Sequence, residues 1–597
     1  MKRTILLILF SVYVLGSYSQ TISDKELKKQ IGDLLNSYSF YNRFSGNVLV
    51  TRNNNVIFEK SYGFADIETK KKNTKGSIFD ICSVSKSLTA VGVMKLVEQG
   101  KISLETPVST FFPEFIPDYS GKITVRHLLN HSSGMEANIA RKDESGNGLV
   151  MPDENPFTLE DIFEKFKGTK LKFEPGKSFE YNNLGYLLLA HIIEIVSKQT
   201  YANYMTNEVF EPSNMKSSEF AAFKYINKCS YPHVNIGAIN VIKHQDNYHQ
   251  SWIMGAGGIK STTNDLCNFM NALENGTILK PATVEMLFSL TQSLDFNNEK
   301  YGLGWEIGEK AGEKYIRHNG GYYGYASVMG FLPNRNIKII ILSNLSSSFS
   351  DEEYKGKHSF IGELNNKIID AIQGKTIECL PLPINKSSNI YLSSKYDVDD
   401  KHSIKLSAYE NDLWLETTGS EPWSVFTYSF SNEQREDSKA YQIALKFAKA
   451  MKTQNLDSLV NYADDEMKDF LGTEAGLGQL KGSWNYFLSQ NGEFKSCNIY
   501  KITGKKVKNI YIRFHFEKSD VGIALSFNSN NLIQGLFLDS DVKTCNIKKV
   551  KLIPIGDNEF FINGYHYKGM QDIKISLRDD KLILTDGDVV FSAVKAL

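Results

Sequence analysis

The chain has 597 residues, longer than one hydrophobic core usually organises, which implies several domains. Apolar residues at 41% and charged residues at 23% match ordinary globular chains and exclude wholesale disorder. Lysine plus arginine balances aspartate plus glutamate at 68 each, which leaves no electrostatic footprint for nucleic acid or an anionic surface and favours a small-molecule or peptide substrate.

The chain opens with Lys2 and Arg3, runs apolar from Ile5 to Leu15, and turns to small and polar residues at Gly16, Ser17 and Ser19. This pattern predicts a secretory signal over residues 1–19, with cleavage before Gln20, and hence an exported, periplasmic or extracellular protein without an integral membrane segment. An uncleaved anchor is the alternative. Cys82, Cys229, Cys267, Cys379, Cys497 and Cys545 lack CxxC or metal-ligand spacing and read mainly as core thiols.

A helix pattern at Leu27, Ile31, Leu34 and Leu35 precedes a hairpin signal, Gly46 to Thr51 and Val56 to Ser61, turned by Arg52-Asn53-Asn54-Asn55. The next region reads as mainly helical, with apolar runs at Val84 to Val97, Leu184 to Val196 and Leu266 to Leu273. Strand patterns return at Gly304 to Ile307, Tyr315 to Arg317, Ser327 to Leu332 and Ile337 to Leu342. Strands from both ends around a helical middle predict an α/β (α+β) domain over 20–374, with one antiparallel sheet flanked by helices.

Beyond it, short alternating segments such as Ile404 to Ala408 and Leu413 to Thr417 predict a small β module over 375–437. An amphipathic helix around Ala444, Phe447, Ala448 and Met451, followed by strands, predicts an α+β module over 438–545. Residues 546–597 return to short strands and could complete the β module as a barrel or sandwich.

Three motifs carry chemistry. Ser83-Val84-Ser85-Lys86 fits the S-x-x-K pattern of a serine that attacks acyl carbon, and i,i+3 spacing on a helix brings Lys86 within reach of the Ser83 hydroxyl. The following helix is apolar almost all round, so Lys86 should be buried and its amine neutralised enough to act as a base. Tyr181-Asn182-Asn183 offers a phenol for proton relay and an amide for substrate, although Asn183 could instead be a helix N-cap. His318-Asn319-Gly320-Gly321 ends a strand pattern with glycines that let substrate approach the backbone.

In this order and spacing, Ser83-x-x-Lys86, Tyr181-x-Asn183 and His318-x-Gly320 resemble the serine β-lactamase and DD-peptidase (penicillin-binding) family, closest to its class C-like branch. Supporting stretches are Ser45 to Val50, Thr124 to Gly134, Gly255 to Gly258 with Ser261-Thr262, and Tyr301 to Trp305. The resemblance spans about residues 30–350. It implies Ser83 as acylated nucleophile, Lys86 and Tyr181 as acid/base partners, Asn183, His318, Gly320 and Gly321 as substrate-binding residues, and an oxyanion hole from the backbone amides of Ser83 and Gly321. The family's β-lactam hydrolysing members usually carry lysine at the place of His318 and threonine or serine at that of Asn319, so carboxylate recognition is expected to be weaker. The α+β module loosely resembles nuclear-transport-factor-2-like folds.

No cofactor is expected and no metal site: His127 and His131 are four apart, but Leu128 follows His127 and breaks the His-Glu-x-x-His pattern. Cys82, although adjacent to Ser83, is read as core packing. The expected activity is hydrolysis of a D-amino-acid peptide or a small ester or amide. A true β-lactamase and a non-catalytic peptide- or cell-wall-binding protein are the alternatives.

Overall fold

The computed structural model describes residues 22–597 except 114–118, 136–140, 143–148, 151–154, 221–228, 236–240, 244–248, 290–291, 294–298, 311, 323, 348–359, 384–393, 398–402, 410–411, 419–438, 454, 456, 504–507, 519, 540–548, 557, 563–572, 579–580, 587–588 and 596–597. The signal segment and Cys545 lie outside the described residues. Among the described residues no helix is long and apolar enough to cross a membrane. The chain divides into two compact units, one formed mainly by residues up to Leu380 and one mainly by Pro381–Leu597.

The first unit uses, in chain order, α1 (Asp24–Phe40), β1 (Gly46–Arg52), β2 (Asn55–Tyr62), α2 (Ser85–Glu98), α3 (Val125–Leu129), α4 (Asn183–Ser197), α5 (Thr263–Glu274) and α6 (Pro281–Leu287). It continues with β3 (Gln292–Ser293), β4 (Lys300–Tyr301), β5 (Glu306–Lys310), β6 (Glu313–Tyr322), β7 (Tyr325–Leu332), β8 (Ile337–Ser343) and α7 (Ile361–Ile372). The strands form one eight-stranded sheet in the order β3-β4-β5-β6-β7-β8-β1-β2. The first hairpin thus pairs with the last strand, Val48 opposite Ile341 in an antiparallel register.

The alternation along β8 explains the layering. Ile337, Ile339 and Ile341 enter one core with α1 and α7, while Ile340 and Leu342 enter the other, larger core with α2, α4 and α5. A strand with apolar residues at successive positions must be covered on both faces, and helices from the two ends and the middle of the unit do this. Ile377, Cys379 and Leu380 pack on the smaller core, so this packing continues past Gly374.

The second unit holds two bodies. A closed antiparallel barrel joins β9 (Ser394–Asp397), β10 (Ser403–Tyr409) and β11 (Asp412–Thr418) to five strands between Lys549 and Lys595. Its interior is filled by alternate residues such as Ile404, Leu406, Leu413, Leu415, Leu582 and Leu584, the period of two that a small barrel requires. In the chain between β11 and residue 549 lie α8 (Lys439–Thr453), α9 (Glu474–Asn491) and a four-stranded meander from Phe494 to Asp539. Phe447, Trp484, Ile512 and Phe514 are among the residues of that body's own core.

Of the cysteines, Cys82, Cys229 and Cys267 are buried and Cys379 is half-buried, but Cys497 is exposed. The core reading therefore fails at Cys497.

Candidate active site

Ser83 sits in a single 3-10 turn, Cys82–Val84, that feeds directly into α2. The turn is shaped by Asp80, whose carboxylate accepts the Cys82 backbone N–H at 2.7 Å, and Cys82 takes a left-handed φ of 49°. The Cys82 side chain is buried in the larger core, and Ser83 is half-buried. One turn on, Lys86 is fully buried, and its Nζ donates to Ser83 Oγ at 3.2 Å and to the Ala256 carbonyl at 2.7 Å.

The electrostatics follow from this burial. Desolvation disfavours the ammonium and lowers the Lys86 pKa to about 7, with Cys82 acting weakly in the other direction. The rings of Tyr181 and Tyr186 stand 4.8 and 5.6 Å from Nζ and leave it in an aromatic cage. Tyr181 as a residue is 37% exposed, yet burial pushes its phenol above the ordinary tyrosine range, opposed by a hydrogen bond to Ser83. At neutral pH the phenol keeps its proton while Lys86 shares the population between amine and ammonium.

The helix cap of α4 is Asn182 and not Asn183. Asn182 is extended (φ −133°, ψ 108°), its Oδ1 accepts the Gly185 N–H at 3.0 Å, and its Nδ2 donates to Met135 O at 3.0 Å. Asn183 is relieved of that duty and lies half-buried at the first position of the helix.

His318 lies within β6 and is buried. Its Nδ1 is 2.7 Å from the Asn319 carbonyl, which can only accept, so Nδ1 carries the proton and Nε2 accepts from the Tyr301 hydroxyl at 2.8 Å. Burial first, and then the nearby Lys86, lower its pKa to about 3, so this imidazole is neutral. Gly320 faces the Ser83 turn: a Cβ there would stand 2.6 Å from the Ile81 carbonyl and 2.9 Å from the Cys82 Cβ. Beside Gly321 a Cβ would meet nothing within 4 Å. The structure thus gathers Ser83, Lys86, Tyr181 and His318 at one place, with Gly320 against the Ser83 turn.

Three neighbours were missed as site residues from the sequence. His131, read as a rejected metal ligand and as part of the supporting Thr124 to Gly134 stretch, is buried with a left-handed φ of 60° and a ring 4.4 Å from that of Tyr181. Tyr301 holds His318, and Tyr186 anchors its hydroxyl on the Leu129 carbonyl at 2.7 Å. All sit in or next to stretches already singled out, but nothing local in the sequence distinguishes a site aromatic from a core one. His127 completes a capping box at the start of α3, where Thr124 is the N-cap, its Nδ1 accepting the Thr124 N–H at 3.2 Å.

Residues 34–360 match the Beta-lactamase family model, and residues 444–536 match a second, described as Protein of unknown function (DUF3887). The chain is 28% identical over 348 residues to Penicillin-binding protein 4* of Bacillus subtilis, covering 55% of this chain and 73% of that one. It is 27% identical over 335 residues to Protein flp of Staphylococcus aureus, covering 55% of this chain and 64%, less than two thirds, of that one. The octameric penicillin-binding protein homologue from Pyrococcus abyssi superposes over 94% of this chain and 99% of its own with a TM-score of 0.50 at 18% identity, a likeness of fold. The fold is that of β-lactamases and transpeptidases, and with its family model spanning more than half the residues the chain belongs to the Beta-lactamase family, within the β-lactamase and penicillin-binding protein superfamily of serine hydrolases.

Proposed function

We propose that this protein is an exported hydrolase that forms an acyl-enzyme on Ser83 and acts on a D-amino-acid peptide or a small ester or amide. The observation that carries the reading is the fully buried Lys86, 3.2 Å from Ser83 Oγ, with a pKa lowered to about 7. Its neutral amine takes the Ser83 proton as Oγ bonds to the substrate's acyl carbon. The backbone amides of Ser83 and Gly321 receive the developing oxyanion. The Tyr181 phenol, held protonated and bonded to Ser83, passes a proton to the departing alcohol or amine. Water then attacks the acyl-serine by the same groups in reverse.

His318 supports esters and amides over β-lactams, since both its nitrogens are engaged and it bears no charge to hold a carboxylate. Export rests on the Lys2-Arg3 start and the apolar run from Ile5 to Leu15.

Intact-mass spectrometry after incubation with a fluorophosphonate, on wild type and Ser83→Ala, tests the core of this reading. One adduct that disappears in the variant supports it. No adduct on the wild type would sink it in favour of a binding protein that retains the pocket.

A further inference from the structure

We propose that a cavity between the sheet and helices α5 and α6, separate from the Ser83 site, is a binding site for a small uncharged apolar molecule of benzene-to-toluene size. Its volume is about 190 Å³, and Met270, Leu273, Val284, Phe288, Trp305 and Phe331 form most of its wall. Protein cores seldom leave voids larger than a water molecule. An apolar cavity of roughly 150 Å³ takes up benzene, and this pocket, partly open to solvent, has room for a molecule of about that size.

The polar residues at the wall, Lys338, Glu274 and Trp305, turn no polar atom into the space, so its lining is apolar. Lys338 is buried, and its Nζ donates to Glu274 at 2.7 Å and to Asn54 Oδ1 at 2.6 Å. The cation is thereby neutralised and offers no hook for an anion, while a charged molecule would have to shed its water in the same place. Trp305 is likewise buried, stacked on Phe269 and set edge-on to Phe288, and its Nε1–H has no acceptor among the described residues. With no polar atom facing it, the space offers a water molecule none of the two to four polar partners it needs. The cavity therefore favours an uncharged hydrocarbon occupant.

The test uses the full chain labelled with 5-fluorotryptophan. Its five tryptophans give separate fluorine resonances, and Trp305→Phe assigns the one from Trp305. Toluene is expected to shift the Trp305 resonance saturably and leave the others in place. The shift should be lost in Leu273→Phe, which fills the space, and sodium benzoate should produce none. Absence of a saturable Trp305 shift up to the solubility limit of toluene overturns the proposal, as do equal shifts at all resonances or an equal response to benzoate. Should Leu273→Phe fail to fold, Val284→Met supplies the filled cavity, and the wild-type titration decides by itself.

Discussion

The imidazole Nδ1 of His131 accepts the backbone N–H of Asn182 at 3.0 Å, and through this one bond the end of the His131 loop fixes the residue between Tyr181 and Asn183. Because Nδ1 accepts, the proton sits on Nε2, which is buried without a hydrogen-bond partner among the described residues. Burial, with Lys86 and His318 adding to it, holds this imidazole well below its ordinary pKa. His131 is thus a neutral positioning residue for the segment that carries Tyr181.

His131→Ala is expected to lower kcat more than it raises KM, because Tyr181 loses both the ring against it and the anchor of its neighbour. Leaving the buried Asn182 N–H unpaired should also cost about 1–3 kcal/mol in urea unfolding. His131→Asn, which tolerates the left-handed φ and can accept the same N–H, should recover most of the stability and less of the activity. Equal kcat in all three proteins would remove the positioning role.

Lys86 sets the acid limb of activity. With its pKa near 7, the neutral amine accumulates as pH rises, so kcat/KM on a p-nitrophenyl ester should climb through about pH 7 and level off above it. Lys86→Met should lower kcat/KM by about 10²–10⁴-fold without moving KM as much. His318, lowered to about 3, should add no limb between pH 5 and 9. A flat profile from pH 5 to 9 would contradict the assignment of Lys86 as base.

The same shift has a stability consequence of definite sign. Lys86 in the unfolded chain binds its proton up to the ordinary lysine value of 10.5, whereas the folded chain releases it near 7. Between these values the unfolded state holds more protons, so this residue's contribution makes stability rise with pH. The penalty of burying Lys86 is fully present below about pH 7. Lys86→Met should therefore stabilise the fold, and the gain measured by urea unfolding at pH 6 should exceed that at pH 9.

Gly320→Ala brings a Cβ to 2.6 Å from the Ile81 carbonyl and 2.4 Å from Ser327 Oγ, and the latter is itself bonded to Ile81 O at 2.7 Å. The backbone carbonyl cannot rotate away, so β6 must move off the Ser83 turn. The expected cost is about 1–3 kcal/mol, with loss of fluorophosphonate labelling. Gly321→Ala, which meets open space, should fold as wild type, and circular dichroism melts of the two variants make the comparison.

Arg317 bonds Glu306 at 2.9 Å and Glu299 at 2.7 Å on the strand that carries His318. Burial raises the Glu306 pKa even with Arg317 opposing it. Arg317→Met should leave two mostly buried carboxylates together and destabilise by about 3–5 kcal/mol at pH 8. The loss should shrink at pH 5, where Glu306 can take a proton, and a pH-independent loss would exclude this cause.

The central motifs were legible because their chemistry is written locally. An i,i+3 serine and lysine on an apolar helix meet wherever that helix forms, and the order of the three motifs then carried the family resemblance. The helices Ser85–Glu98 and Asn183–Ser197 and the strands around them follow the hydrophobic periods seen in the sequence. Local pattern left the cap open between Asn182 and Asn183, and bonds to the Met135 carbonyl and the His131 imidazole, 47 and 51 positions away in the chain, fix Asn182 in that place. No period announces that His131 and Tyr301 belong beside Tyr181, because those contacts join segments far apart in sequence.

The sequence by itself determined the helix that carries Lys86 directly after Ser83, the antiparallel sheet from its two ends, and the balance of charge. Tertiary structure alone decided that the Ala256 carbonyl holds the Lys86 amine, that His318 is pinned neutral between Tyr301 and Asn319, and that a cavity remains beside Trp305. The physical reason is that desolvation and packing are properties of the surroundings of a group, and those surroundings are assembled from residues hundreds of positions apart.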